Sequence, residues 1–266
     1  MWVFVSCESM RVLIFLLFFS GFLSAQQLKL VDSTAMEVDR FVGVDSYKSI
    51  YFINNGGLYK EGDLGKFVFQ DYQLGPITTV DLINPLNIVV FYSEVNTVVF
   101  LDNRLSEKER INFNNLPFFL NGSAVTNAGN NRLWVFNIDS QQLELFDYRT
   151  NRETIFSQPY EGELISQLSD FNDCFILTED HLRQINIYGS LLSEKKLEGF
   201  DAIVRNGKTL IGLKENKLYL LSAETVSSID LDFNENKIKD LQLTQEFLYI
   251  YDGNKLFTFT LNQPKQ

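Results

Sequence analysis

The sequence predicts an all-β protein, a six-bladed β-propeller with about 40 residues in each four-stranded blade. Three observations predict it. Six segments repeat one pattern: an apolar strand, a short polar turn, and a second strand opening on an aliphatic residue. They are IYFINNGGLYKEG, NIVVFYSEVNTVVFLD, RLWVFNIDSQQLELFD, CFILTEDHLRQIN, TLIGLKENKLYLLS and FLYIYDGNKLFTFT. Their openers, Leu58, Val98, Leu143, Leu182, Leu218 and Leu256, follow one another at intervals of 40, 45, 39, 36 and 38 residues. A near-constant period of short strands and polar turns is the mark of propeller blades. The strands are also apolar on both faces, as a sheet sandwiched between two neighbours requires, and 24 phenylalanines supply rings to fill the wedges between sheets.

The elements follow in chain order. From Met10, the run MRVLIFLLFFSGFLSAQQ has a basic start at Arg11, an apolar stretch and a small-residue cleavage site at Leu23-Ser24-Ala25. It reads as a cleaved secretory signal over residues 1–25, too short to span a bilayer, with Met1 or Met10 as the start. Residues 26–266 then form a single propeller domain. Residues 27–33, QLKLVDS, make a strand that belongs to no repeat at its own end of the chain. Each repeat fills out to four strands. A small, polar strand precedes the hairpin (FVGVDSY, TTVDLIN, SAVTNAG, IKDLQLT), and a wetter one follows it (KFVFQDY, ERINFNN, RETIFSQ, VSSIDLDF). That order matches a blade read from the central channel to the rim. The sixth repeat lacks its fourth strand, so QLKLVDS is expected to pair beside KLFTFTL and close the ring, removing an aggregation-prone edge.

Composition excludes some functions. The net charge of −11, with scattered Lys and Arg, argues against a nucleic-acid partner, which needs clustered basic residues. Past the signal the only cysteine is Cys174, so no intramolecular disulfide forms there, and its apolar context reads as a buried, inert thiol. No cysteine follows the cleavage site to carry a lipid.

Taken together, residues 26–266 resemble a six-bladed propeller of the exported bacterial, Bacteroidota-like kind. The resemblance is one of architecture. The Trp-Asp signature of WD repeats is absent, the paired glycines of kelch occur once, at Gly56-Gly57, and no Asp-box or quinoprotein pattern is present. It implies export to the periplasm or beyond. A fold that hosts enzymes, scaffolds and sensors alike assigns no function.

Three candidate sites stand out. His181, the single histidine, falls in the turn of TEDHLRQ and reads as a turn residue rather than a catalytic base. The inner strands carry Asp45, Asp81, Asn127, Asp170 and Asp240, each five to eight residues ahead of its core strand. If they converge at one height in the channel, their oxygens suit Ca²⁺, as in the six-bladed lactonase-like hydrolases this picture is similar to; otherwise they serve local turns. The loops between blades supply an apolar tip, Leu116, Pro117, Phe118, Phe119 and Leu120, with Tyr160 and Phe200, rimmed by Glu161, Glu163 and Asp201. Such a patch suits a protein partner, unless LPFFL packs between blades or plugs the channel mouth. Asn121-Gly122-Ser123 also matches a glycosylation acceptor.

The leading expectation is an exported, non-catalytic, monomeric interaction module of the cell envelope, without cofactor and without a membrane span. The alternatives are a Ca²⁺-dependent hydrolase using the channel carboxylates, or a sensor for a sugar or other small ligand.

Overall fold

The computed structural model describes residues 28–231 and 237–261; the signal peptide expected over residues 1–25 lies outside them. β1 (Leu28–Ala35) comes first and stands apart. Blade 1 follows as β2 (Arg40–Val44), β3 (Ile50–Asn54), β4 (Gly57–Gly62) and β5 (Gly65–Phe69). Blade 2 comprises β6 (Thr79–Asp81), β7 (Ile88–Tyr92), β8 (Thr97–Leu101) and β9 (Glu107–Asn112). Blade 3 comprises β10 (Gly122–Asn127), β11 (Arg132–Asn137), β12 (Gln142–Asp147) and β13 (Arg152–Ile155). Blade 4 holds β14 (Leu164–Ser169), β15 (Asp173–Thr178), β16 (His181–Asn186) and β17 (Leu191–Lys196). Blade 5 holds β18 (Ala202–Asn206), β19 (Thr209–Lys214), β20 (Lys217–Leu221) and β21 (Val226–Ile229). Blade 6 has β22 (Asp240–Leu243), β23 (Phe247–Tyr251) and β24 (Lys255–Leu261). Each of the first five is a consecutive antiparallel sheet, and the sixth has the order β1-β24-β23-β22.

The expected closure is therefore present. β1 runs antiparallel to β24 from Leu28 opposite Leu261 to Ala35 opposite Lys255, with a bulge between Leu30 and Asp32. Backbone pairing does most of the fastening, because Leu28 is the only buried residue of β1.

The repeat has a packing cause. Leu58, Val98, Leu143, Leu182, Leu218 and Leu256 all occupy the second position of their strand, and all are buried. Packing runs from blade to blade. Val89, Phe91, Val98 and Phe100 of blade 2 meet Val125, Leu133, Val135 and Phe146 of blade 3, and equivalent apolar layers fill the other seams. The connection into each new blade also drops apolar side chains into the seam it crosses: Leu74 and Ile77, Phe118 and Leu120, Tyr160, Leu197 and Phe200, and Ile238. Gly212 makes room for one of them, since a Cβ there would sit 2.6 Å from the Phe200 ring.

The seam between blades 6 and 1 differs. Its buried apolar set among the described residues is Phe41, Val44, Tyr251 and Leu256, four against eight to eleven elsewhere. Hydrogen bonds supplement it. Tyr251 Oη accepts from Val38 N (3.1 Å) and donates to the Val38 carbonyl (2.8 Å). Gln242 spans the seam as well, accepting from Val44 N (2.6 Å) and donating to Val44 O (3.0 Å).

Candidate functional site

Antiparallel sheets joined outer strand to next inner strand put their loops on two faces. Inter-blade loops and β3–β4-type hairpins emerge on one, and the turns leaving the inner strands emerge on the other. The apolar tip expected from the sequence lies on the first face. The structure divides it. Phe119 is 75% exposed and Pro117 is exposed too, whereas Leu120 is buried and Leu116 and Phe118 pack against the blade 2/3 core. Phe118 lies edge-on to Phe146, with ring centroids 6.0 Å apart.

Two other members of the expected patch also turn inward. Tyr160 stacks on Phe136 at 6.1 Å and carries the Arg183 guanidinium on its ring at 4.6 Å, and burial raises its phenol pKa. Phe200, only 7% exposed, meets Tyr219 edge-on at 5.6 Å. These rings belong to the blade 3/4 and 4/5 seams, so a continuous surface patch of Phe118, Tyr160 and Phe200 is corrected to three separate wedges. Glu161, Glu163 and Asp201 remain exposed on the same face. Sequence reading missed Ile138, which is exposed on the β11–β12 hairpin and whose amide donates to Asn121 O at 2.9 Å. That bond places Ile138 beside the Phe119 loop.

The inner strands line a channel cavity of about 920 Å³. Adjacent inner strands run in the same direction, as their cross-links show: Asp240 with Phe41 then Gln242 with Val44, and Thr79 with Val125 then Asp81 with Asn127. Direction separates the expected carboxylates. Asp45 follows the end of β2 and Asp81 ends β6, whereas Asp240 begins β22 level with Phe41. About four residues at roughly 3.3 Å each therefore set Asp240 some 13 Å from the height of Asp45. Convergence of all five at one level is corrected on that ground.

Each of the five already has partners. Asp45 accepts the amides of Tyr47 and Ser49 (both 2.9 Å), the Tyr51 hydroxyl (3.0 Å) and the Lys60 ammonium (3.1 Å). Asp81 accepts the amides of Asn127 (2.6 Å) and Ile83 (2.9 Å). Its pKa is pushed up to about 6 by burial, against the pull of those two amides, although part of its surface borders the channel. Asn127 Oδ1 accepts from Gly129 N at 2.7 Å. Burial also acts on Asp170, yet the Asn172 amide, Arg205 at 2.6 Å and the Asp173 amide together hold its pKa below the ordinary value. Burial raises the pKa of Asp240, opposed by the Phe41 amide and Arg40. Four of them, Asp45, Asp81, Asn127 and Asp170, cap the turn leaving an inner strand, and three, Asp81, Asp170 and Asp240, clasp the neighbouring blade. Among the described residues no three His, Cys, Asp or Glu side chains are grouped to hold a metal ion.

His181 opens β16 rather than lying in the turn, pairs with Lys196 across the ladder, and has Nδ1 2.9 Å from Asp180 Oδ1. Cys174 is buried in the blade 3/4 core, where burial raises its thiol pKa well above the ordinary value, so the thiol stays protonated and inert. Among the described residues no helix is long and apolar enough to cross a membrane.

No family model and no curated protein matches the chain. Solved structures do. Virginiamycin B lyase from Staphylococcus aureus, in a catalytically inactive form with quinupristin, aligns with TM-score 0.61 and 13% identity over 82% of this chain and 79% of that one. The β-propeller domain of Cps50 (Swd1) from Myceliophteria thermophila aligns with TM-score 0.63 and 9% identity over 88% of this chain and 100% of its own. PorZ, a bacterial surface component of the type-IX secretion system of Porphyromonas gingivalis, aligns with TM-score 0.51 and 15% identity over 83% of this chain and 32% of that one. At these identities the likeness is one of fold.

Proposed function

We propose that this propeller is exported and serves as a protein-interaction module of the cell envelope, without chemistry of its own. The observation that carries the reading is the presentation of Phe119. Its ring is 75% exposed, and the residue before it is anchored against Phe146. Leu120, the residue after it, is buried in the same seam. An aromatic residue held out on a loop pinned at both sides forms a contact without the entropy cost of ordering a mobile segment. Ile138 extends the apolar spot, and Asp139 supplies a polar rim through its hydrogen bond from Asn121 (3.0 Å). The secretory-type start of the sequence and the likeness to the surface component PorZ support an envelope location.

The test is crosslinking in the native host followed by purification of the tagged protein from the envelope fraction. A stoichiometric companion that is lost on Phe119→Ser and retained on Tyr47→Ser, at the opposite face, supports the reading. A protein that is recovered alone, or a companion indifferent to Phe119→Ser, overturns it.

A further inference from the structure

The channel opens on the face opposite Phe119, where the turns leaving the inner strands carry Ser46, Lys48, Asn206, Gln245 and Glu246 to the cavity wall. Its volume, about 920 Å³, lies in the range of small-molecule sites. The wall has two characters. On blade 6, Phe247 and Tyr249 lie edge to face, 6.0 Å apart, and Phe41 of blade 1 tilts against Tyr249 at 6.3 Å. Phe247 and Tyr249 are half-buried on the cavity wall and Phe41, only 3% exposed, backs them, so a two-ring aromatic shelf stands at the seam whose buried core is smallest.

Elsewhere the wall is polar, and its charges balance in number: Arg40, Lys48 and Arg205, with Lys60 behind Asp45, stand against Asp45, Asp81, Asp170 and Glu246. Asp170 holds Arg205 at 2.6 Å, and Asp45 holds Lys60 at 3.1 Å with both side chains almost wholly enclosed. Lys48 and Glu246 at the mouth have opposite signs. The wall offers both donors, among them Ser46, Asn206 and Gln245, and acceptors. Asp81 takes one amide on each oxygen, which leaves a second lone pair on each. Gln167 donates its amide nitrogen to Thr126 Oγ1 (2.8 Å) and Trp134 O (3.2 Å), which fixes the side chain in the wall.

We infer that this channel mouth binds an uncharged saccharide. Such a ligand brings many O–H groups, each able to donate and to accept, to a polar wall and lays its C–H faces on aromatic rings. It also adds no charge to a lining whose own positive and negative side chains are equal in number. The site lies on the face away from Phe119, so it is independent of the protein-docking reading.

The test uses residues 26–266 on an array of immobilised neutral, amino-substituted, sulfated and uronic-acid oligosaccharides, with the best binder titrated in solution. Binding to neutral glycans is expected, weakened at least tenfold by Phe247→Ala and by Gln245→Ala, and unchanged by Phe119→Ser. Gln245 is an exposed turn residue, so its variant tests the site even if Phe247→Ala perturbs the fold. No binding across the array, binding confined to charged glycans, or neutral binding indifferent to both channel variants would overturn the inference.

Discussion

Phe118 lies edge-on against Phe146 across the blade 2/3 seam, at 6.0 Å and 67°, while its neighbour Phe119 faces solvent. Two adjacent phenylalanines therefore have opposite duties. Phe118→Ala removes a ring from an inter-blade layer and is expected to cost about 1–3 kcal/mol, the range of a partly buried aromatic truncation. Phe119→Ser is expected to change stability by less than about 0.5 kcal/mol. Urea unfolding of both variants checks the pair, and equal losses would contradict the division.

β1 completes blade 6 by pairing with β24, although only Leu28 is buried. Deleting residues 28–35 exposes the β24 edge and the floor under Leu28. The expected loss is at least about 3 kcal/mol, or roughly 6–12 °C in Tm for a domain of this size. A truncated protein that melts with the full chain would show that the ring does not depend on this closure.

The architecture was legible because it is carried by a local signal repeated six times. Aliphatic openers at a period near 40 are a consequence of burying each sheet on both faces, and the missing strand of the last repeat is a consequence of closing the ring with β1. The candidate sites were less legible, since loops have no such period. Nothing local distinguishes Phe118 from Phe119; the difference is made by Phe146, some thirty residues on. Phe200 turns inward because Gly212, on the next blade, leaves it space. The acidic residues of the inner strands were found, but their heights were not. The spacing of Asp240 from its core strand resembles the others, yet it begins its strand whereas Asp81 ends one. Strand direction and register, absent from spacing, decide which oxygens share a level.

Gly212 gives a direct test of the wedge geometry. A Cβ at this position would stand 2.6 Å from two carbons of the Phe200 ring, which is itself held edge-on by Tyr219. Gly212→Ala is expected to destabilise by about 1–3 kcal/mol, as overpacking does. Adding Phe200→Leu should recover part of that loss. A double-mutant cycle with no coupling between the two sites would contradict the contact.

Lys60 and Asp45 form an ion pair at 3.1 Å, with side-chain exposures of 3% and 1%, and Lys60 also donates to Asn103 O of blade 2 at 3.1 Å. Removing one member strands the other charge. Asp45→Ala is expected to cost about 3–5 kcal/mol, and replacing both residues with Asp45→Ala and Lys60→Met should be less damaging than the single change. Chemical denaturation of the three proteins checks the ordering, and a double variant weaker than the single one would contradict it.

Asp81 makes stability depend on pH in a direction opposite to most acids. Burial sets its folded pKa at about 6, above the ordinary 3.8. A carboxyl with a raised folded pKa contributes its full stability below the unfolded value and loses it as pH rises through the folded value. Stability should therefore fall between about pH 4 and 6, by up to roughly 3 kcal/mol if the whole shift is expressed. Glu144 and Asp240, also raised by burial, act in the same direction, whereas Asp170 and Asp147, held low by hydrogen bonds, act in more acidic solution and with opposite sign. The Asp81→Asn variant isolates one group from that sum. Its stability profile should lack the decline that separates pH 4 from pH 6 in the parent, because the amide cannot ionise in the same enclosure. Parallel profiles for parent and variant, measured by urea unfolding at half-unit steps, would mean that Asp81 ionises as an ordinary surface acid and that its enclosure at the channel wall opens in solution.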